Sequence, residues 1–136
     1  YQAIHGDRVL AYQGDPDTGE PVAGSSHGHH IWDVEKVRAL VADPTHTVTF
    51  FCGGSRNFHH FIDLFDGVFV LTVDLETLHR RLVRRPEDEW GGRPEERAFI
   101  ARLHATQEDV PLQGLSIDAT AALSDVVDAI LAAVTL

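Results

Sequence analysis

A chain of 136 residues, 43% apolar and 24% charged, is long enough for one packed core and is composed like a globular protein rather than a disordered one. Its formal net charge of −10, with Lys36 the single lysine, sets an average field that repels a phosphate backbone and argues against nucleic acid as a partner. No apolar run reaches the roughly 18 residues of a membrane span, the first residues do not read as a basic-then-apolar leader, and the lone Cys52 has no second cysteine to pair with, so the expected setting is reducing and cytoplasmic.

In chain order, Tyr1–Val9 reads as a short strand around Ala3 and Ile4. Gln13 to His30, rich in Gly, Asp, Pro, Ser and His, reads as one long loop, and loops of that length are usually functional or mobile. Asp33 is placed to cap a helix carrying Val34, Val37, Leu40 and Val41 on one face and stopped at Asp43-Pro44. Thr47 to Cys52 is β-branched and aromatic and predicts a buried strand bounded by Gly53-Gly54. Ser55 is expected to cap a second helix, with Phe58, Phe61, Ile62 and Phe65 on one stripe and Asp66-Gly67 at its end.

Val68–Val73 is the clearest strand, followed by a helix from about Leu75 that turns Leu75, Leu78 and Leu82 inward. Pro86 to Pro94 forms a loop, a helix covers about Glu95–Glu108, and Leu115–Ile117 is a short strand. Leu123, Val126, Val127, Ile130, Leu131 and Val134 fit an amphipathic last helix. Strands that alternate with crossover helices lie parallel and are covered on both faces. The expectation is therefore a three-layer α/β/α sandwich around a parallel sheet, in a single domain spanning residues 1–136.

Ligands of such sheets bind at the carboxyl ends of the strands. There the sequence offers Asp7-Arg8, Gly53-Gly54-Ser55-Arg56-Asn57, Asp74 and Asp118-Ala119-Thr120. The Gly-Gly-Ser-Arg-Asn turn reads equally as an anion cradle or as a tight turn with Ser55 as cap. Seven of the ten arginines fall in the 23 residues from Arg80 to Arg102. Arg80 and Arg84 share one helix face, Arg81 and Arg85 another, while Arg93 and Arg97 follow the Pro86–Pro94 loop. Arginine forks grip phosphate, but charge pattern alone favours a solvated face paired with Glu87, Asp88, Glu89, Glu95 and Glu96. His27, His29, His30, His59 and His60 have no zinc-site spacing and read as ordinary surface histidines, so no metal ligands are expected.

Several segments carry a resemblance by their order: Cys52-Gly53-Gly54-Ser55-Arg56-Asn57, Phe61–Asp66, Val68–Asp74 leading into Leu78–Arg85, Trp90-Gly91-Gly92-Arg93-Pro94, and Ile117–Thr120. Thr18–Val22 and Ile31-Trp32-Asp33 fit the same series. Together they resemble the P-loop kinase superfamily, in its small nucleoside- and nucleotide-kinase-like branch. The resemblance implies a body that moves the γ-phosphoryl group of ATP, with Mg2+, to a small hydroxyl- or phosphate-bearing acceptor. In that scheme Asp7 orients or deprotonates the attacking hydroxyl, and Arg8, Arg56 and Asn57 line the acceptor side. Arg80, Arg84 and Arg93 belong to a lid around residues 86–94, and Arg84 with Asp118, Ala119 and Thr120 serves the nucleotide. No nucleic-acid or membrane partner is implied.

The chain departs from that family at one point. Its phosphate loop, Gly-x-x-x-x-Gly-Lys-Ser/Thr between a strand and a helix, has no counterpart here, and Lys36 follows Val34-Glu35 with no glycine loop near it. The resemblance therefore implies that a strand-loop-helix unit of about 30 residues is lacking, its strand central between those ending at Cys52 and Val73. The chain is then a monomer, or part of an assembly in which another segment supplies that strand, and binds ATP weakly alone. The alternative is a noncatalytic nucleotide- or anion-binding module that has lost its phosphate loop. A third reading, a response-regulator or phosphatase type with Asp74 as nucleophile, competes with that residue's ordinary role as a helix cap.

Overall fold

The computed structural model describes residues 1–134 of the chain and divides into two compact units, residues 1–66 and residues 67 onward. Both mix helices with short strand pairs, so the chain is α/β with five helices and six strands among the described residues.

In the first unit β1 (Gln2–His5) runs into a single helical turn, α1 (Gly6–Val9), and then β2 (Ala11–Gln13). The expected strand over Tyr1–Val9 thus stops at His5. Gly6 explains the stop, because a Cβ there would collide with the Trp32 ring and only glycine lets the backbone turn beneath it. The expected loop Gln13–His30 is shorter than the sequence suggests. Its ends form an antiparallel hairpin of β2 with β3 (His30–Trp32), in the register Ala11 to Trp32 and Gln13 to His30, extended by a bridge from Gly14 to Pro21. This pair has no crossover helix, so it is antiparallel where parallel strands were expected.

Asp33 caps α2 (Val34–Ala42) by accepting from the Lys36 N–H at 3.2 Å, and Val37 on that helix is fully buried. β4 (Thr49–Cys52) then pairs parallel to β1, with Gln2 opposite Thr49 and His5 opposite Cys52. Ile4, Leu10, Trp32, Val37 and Phe61 form the core, flanked by Phe51, Phe58 and Phe65. Burying side chains of this size contributes about 1.5–3 kcal/mol each. The helix expected after Ser55 is replaced by two 3-10 turns, Phe58–His60 and Ile62–Leu64. The Ser55 hydroxyl accepts from the Asn57 N–H at 3.2 Å and donates to the Asn57 side chain, which is itself tied to Trp32. That anchoring leaves the following aromatics to be buried over two tight turns instead of a regular helix. Phe61 still stacks on Trp32, with 5.6 Å between ring centroids and 7° between planes.

In the second unit β5 (Phe69–Thr72) leads to α3 (Leu75–Val83), and a loop connects it to α4 (Pro94–Thr106). β6 (Leu115–Asp118) pairs parallel to β5, Phe69 opposite Leu115 and Thr72 opposite Asp118, before α5 (Leu123–Ala133). Leu82, Leu103, Ile117 and Val126 are its buried apolar side chains among the described residues, whereas Leu75, expected to face inward, is exposed. The His104 imidazole on α4 meets the Val73 carbonyl just beyond β5 at 2.7 Å, which fixes that helix to the strand end. Val134, expected in the last helix, is the residue that ends it. No described helix is long and apolar enough to cross a membrane.

Candidate functional site

The first unit gathers polar side chains where β1 and β4 end. Asp7, two residues beyond β1, accepts through Oδ1 from the His30 ring Nε2 at 2.9 Å, and the two side chains are 50% and 30% exposed. A carboxylate only accepts, so this contact places the proton on Nε2. His30 is held from both sides of its backbone. Its N–H donates to the His27 carbonyl and its carbonyl accepts from the Arg56 N–H at 2.9 Å. The Gly53 turn closes the same corner with φ of +130°, and a Cβ there would lie 3.2 Å from the Trp32 ring and 3.3 Å from Asp7 Oδ1. Glycine is required on both counts.

Beneath these groups, Asn57 is 2% exposed. Its Oδ1 accepts from the Trp32 N–H and its Nδ2 donates to the Trp32 carbonyl, both at 3.0 Å. The amide expected to line the acceptor side thus spends both ends on a backbone that would otherwise be unpaired, and it sets the position of the tryptophan. Trp32 is equally buried, yet its ring Nε1 has no hydrogen-bond partner, and the ring atom bonded to Nε1 abuts Gly6, the residue before Asp7. A buried donor left unpaired costs about 1–3 kcal/mol, so this corner lacks one polar contact. Arg56 is half-buried and Arg8 is exposed on α1. The structure therefore brings Asp7, His30 and the 53–57 turn together. Asp7 and the turn were legible in the sequence; His30, 23 residues from Asp7 within a presumed loop, was not.

The arginine cluster belongs to the second unit, on α3, on α4 and on the loop that joins them. Several of its members bond backbone carbonyls. Arg85 donates to the Trp90 carbonyl at 2.7 Å, and Arg97 donates to the Gly91 and Gly92 carbonyls at 3.3 and 2.8 Å. Glu96 accepts from the N–H groups of Gly91 and Arg93, so the 86–94 loop is braced across its width. Gly92 passes so close to the Pro86 carbonyl that no side chain fits. Arg80 donates to the Thr77 hydroxyl at 3.2 Å, and Arg102 lies over the Phe99 ring. Arg84 and Arg93 flank the loop as exposed side chains.

Asp118 ends β6 and accepts from the Thr120 N–H at 2.9 Å, the Ala119 N–H donates to the Thr72 carbonyl, and Arg81 reaches the Thr120 carbonyl. The turn expected to serve the nucleotide is a formed feature of the strand end. A shallow cavity of about 190 Å³ opens elsewhere on this unit, between Val70, Thr72 and Ser116 of the strand pair and the 107–114 connection. Asp74 is a cap: it accepts from the Thr77 N–H at 2.7 Å. That N–H, and after it the Thr77 hydroxyl, holds the Asp74 carboxyl below its ordinary range.

Among the described residues, no three His, Cys, Asp or Glu side chains converge. His60 instead contacts the Pro16 carbonyl at 2.9 Å, pinning the hairpin loop, while the Tyr12 hydroxyl donates to the Gly19 carbonyl at 2.7 Å. Burial, and then the nearby Asp33 and Glu20 carboxylates, push the Tyr12 phenol above its ordinary value. In comparison with known proteins, no family model, no curated protein and no solved structure matches this chain.

Proposed function

We propose that the chain is the body of an ATP-dependent small-molecule kinase of the P-loop type, cytoplasmic, transferring a phosphoryl group to a hydroxyl- or phosphate-bearing acceptor of nucleoside or nucleotide character. One observation carries this reading. Of the residues that the family resemblance singles out, Asp7 and the 53–57 turn lie just beyond the carboxyl ends of β1 and β4, and Asp118–Thr120 begins at the last residue of β6. The three-layer sandwich of that family needs a further strand, and the two-stranded pairs leave β4 and β5 each with one unpaired edge among the described residues.

The residues present do not fit a complete triphosphate and magnesium site. No glycine-lysine phosphate loop occurs in the sequence, and no described side chains converge on a metal position. The chain's own share of the work is then acceptor binding at the Asp7–His30 corner, with Arg84 and Arg93 at the ends of the 86–94 loop as separate candidates for phosphate contact. Protein expressed from the full coding sequence is expected to convert ATP to ADP only when a nucleoside or nucleotide from a test panel is added. Equal ADP formation with and without every acceptor would contradict the reading.

The absence of a phosphate-loop lysine favours a second reading, a noncatalytic nucleotide- or anion-binding module. It expects ligand binding without phosphoryl transfer in the same assay.

A further inference from the structure

Helix α5 is apolar on two sides. Val126 is buried and Ile130 half-buried where the helix packs on β6, while Leu123, Val127 and Leu131, spaced four residues apart, are all exposed. Side chains at that spacing stand one above the other, so these three form an outward apolar stripe about 12 Å long. Helix α3 repeats the pattern: Thr77 and Leu82 are buried, and Leu75, His79 and Val83 form an exposed stripe at the same spacing. Each stripe is bordered on the same flank, five residues after its first member, by an exposed charge, Arg80 on α3 and Asp128 on α5. The signs of the two helices are opposed more widely. α5 carries Asp125 and Asp128 with no basic residue, whereas Leu75 to Arg85 sets Arg80, Arg81, Arg84 and Arg85 against Glu76 alone.

We propose that the two stripes are an interface between copies of this chain, in which α3 of one copy lies antiparallel on α5 of a second and a two-fold axis makes the contact twice. Like flanks meet in an antiparallel helix pair, so Arg80 comes beside Asp128 along a seam of Leu75, His79 and Val83 against Leu131, Val127 and Leu123. Charge selects this pairing over its rivals. α5 on α5 sets Asp128 against Asp128, and α3 on α3 sets Arg80 against Arg80, both repulsive. A membrane surface is a poor occupant, because α5 has no lysine or arginine to hold it on anionic lipid. Both helices belong to the unit from residue 67 onward, where the Arg81 guanidinium bonds the Thr120 carbonyl just ahead of α5, so one unit carries both halves of the contact.

Sedimentation velocity of the full chain tests this. The 15.0 kDa chain is expected to approach twice that mass as its concentration rises to about 100 μM. Asp128→Arg and Arg80→Asp are each expected to weaken association by at least about tenfold. The double variant Arg80→Asp/Asp128→Arg restores the pair with its signs exchanged and is expected to return affinity to within about threefold of the parent, a recovery that mere damage to the fold would not show. Val127→Glu sets a charge in the middle of the seam and is expected to leave a monomer with the parent's far-UV circular dichroism. A parent chain that stays monomeric throughout overturns the proposal and assigns the stripes to a different partner. A dimer that Asp128→Arg and Val127→Glu leave intact overturns the pairing of α3 with α5, as do single losses that the charge exchange does not recover.

Discussion

At Gly53 and Gly6 the backbone passes within a side chain's width of the Trp32 ring, and these two positions set the geometry of the candidate site. Gly53→Ala forces an L-residue to φ of +130° and pushes a methyl group toward Asp7, so it is expected to cost about 1–3 kcal/mol. Gly6→Ala overpacks the ring from the other side at a similar cost of about 1–3 kcal/mol. Urea unfolding followed by the fluorescence of buried Trp32 measures both, and midpoints equal to the parent's would contradict the packing described. Asn57→Ala unpairs both backbone groups of Trp32 and is expected to cost about 2–4 kcal/mol on the same curve. Asp7 and the 53–57 turn could be read from sequence because strand ends are marked by apolar runs that stop at polar residues. The Asp7–His30 contact could not, because it depends on a hairpin whose strands have only three residues each, too few for any alternation to register.

The elements whose apolar periodicity spans two turns or more formed where the sequence put them: α2 behind Asp33, α3 behind Asp74, α4 behind Pro94, and α5. The stretch after Ser55 has the same aromatic spacing and became two 3-10 turns, since a side-chain bond from Asn57 to Trp32 outweighs local helical preference. The caps also have a pH signature. Asp74 is ionised in the folded chain below its ordinary range, so its contribution is fully present above the unfolded-state value and is lost as pH falls through the lowered folded one. Asp43, held down chiefly by the Thr45 hydroxyl, and Asp15, held down by the N–H groups of Asp17 and Thr18, act in the same direction. Asp74→Ala is expected to flatten the acid limb of stability against pH, and an unchanged slope below pH 4, roughly, would contradict the capping role. The braced loop makes a separate prediction. Arg97→Ala removes two bonds to the Gly91 and Gly92 carbonyls and is expected to speed limited proteolysis within residues 86–94, with no change in cutting elsewhere.

At the scale of the whole molecule, the parallel β5–β6 pair and α5 carry apolar side chains that are not fully covered. Leu71 and Leu115 of β5 and β6 are 55% and 52% exposed, and Leu123 on α5 is 79% exposed. Parallel strands normally lie under helices on both faces, and these side chains are left uncovered among the described residues. The alternation of strands and helices made the α/β class legible in the sequence; the division into two units left no periodic trace in the residues around Asp66-Gly67. The proposal that this chain is the acceptor-binding body of an ATP-dependent kinase is tested most directly by calorimetric titration of MgATP into two proteins: this chain, and the protein expressed from the full coding sequence. Saturable binding heat is expected from the full protein, and little or none from this chain alone. No binding by either would contradict it and leave the arginines around the 86–94 loop as braces and solvated charge.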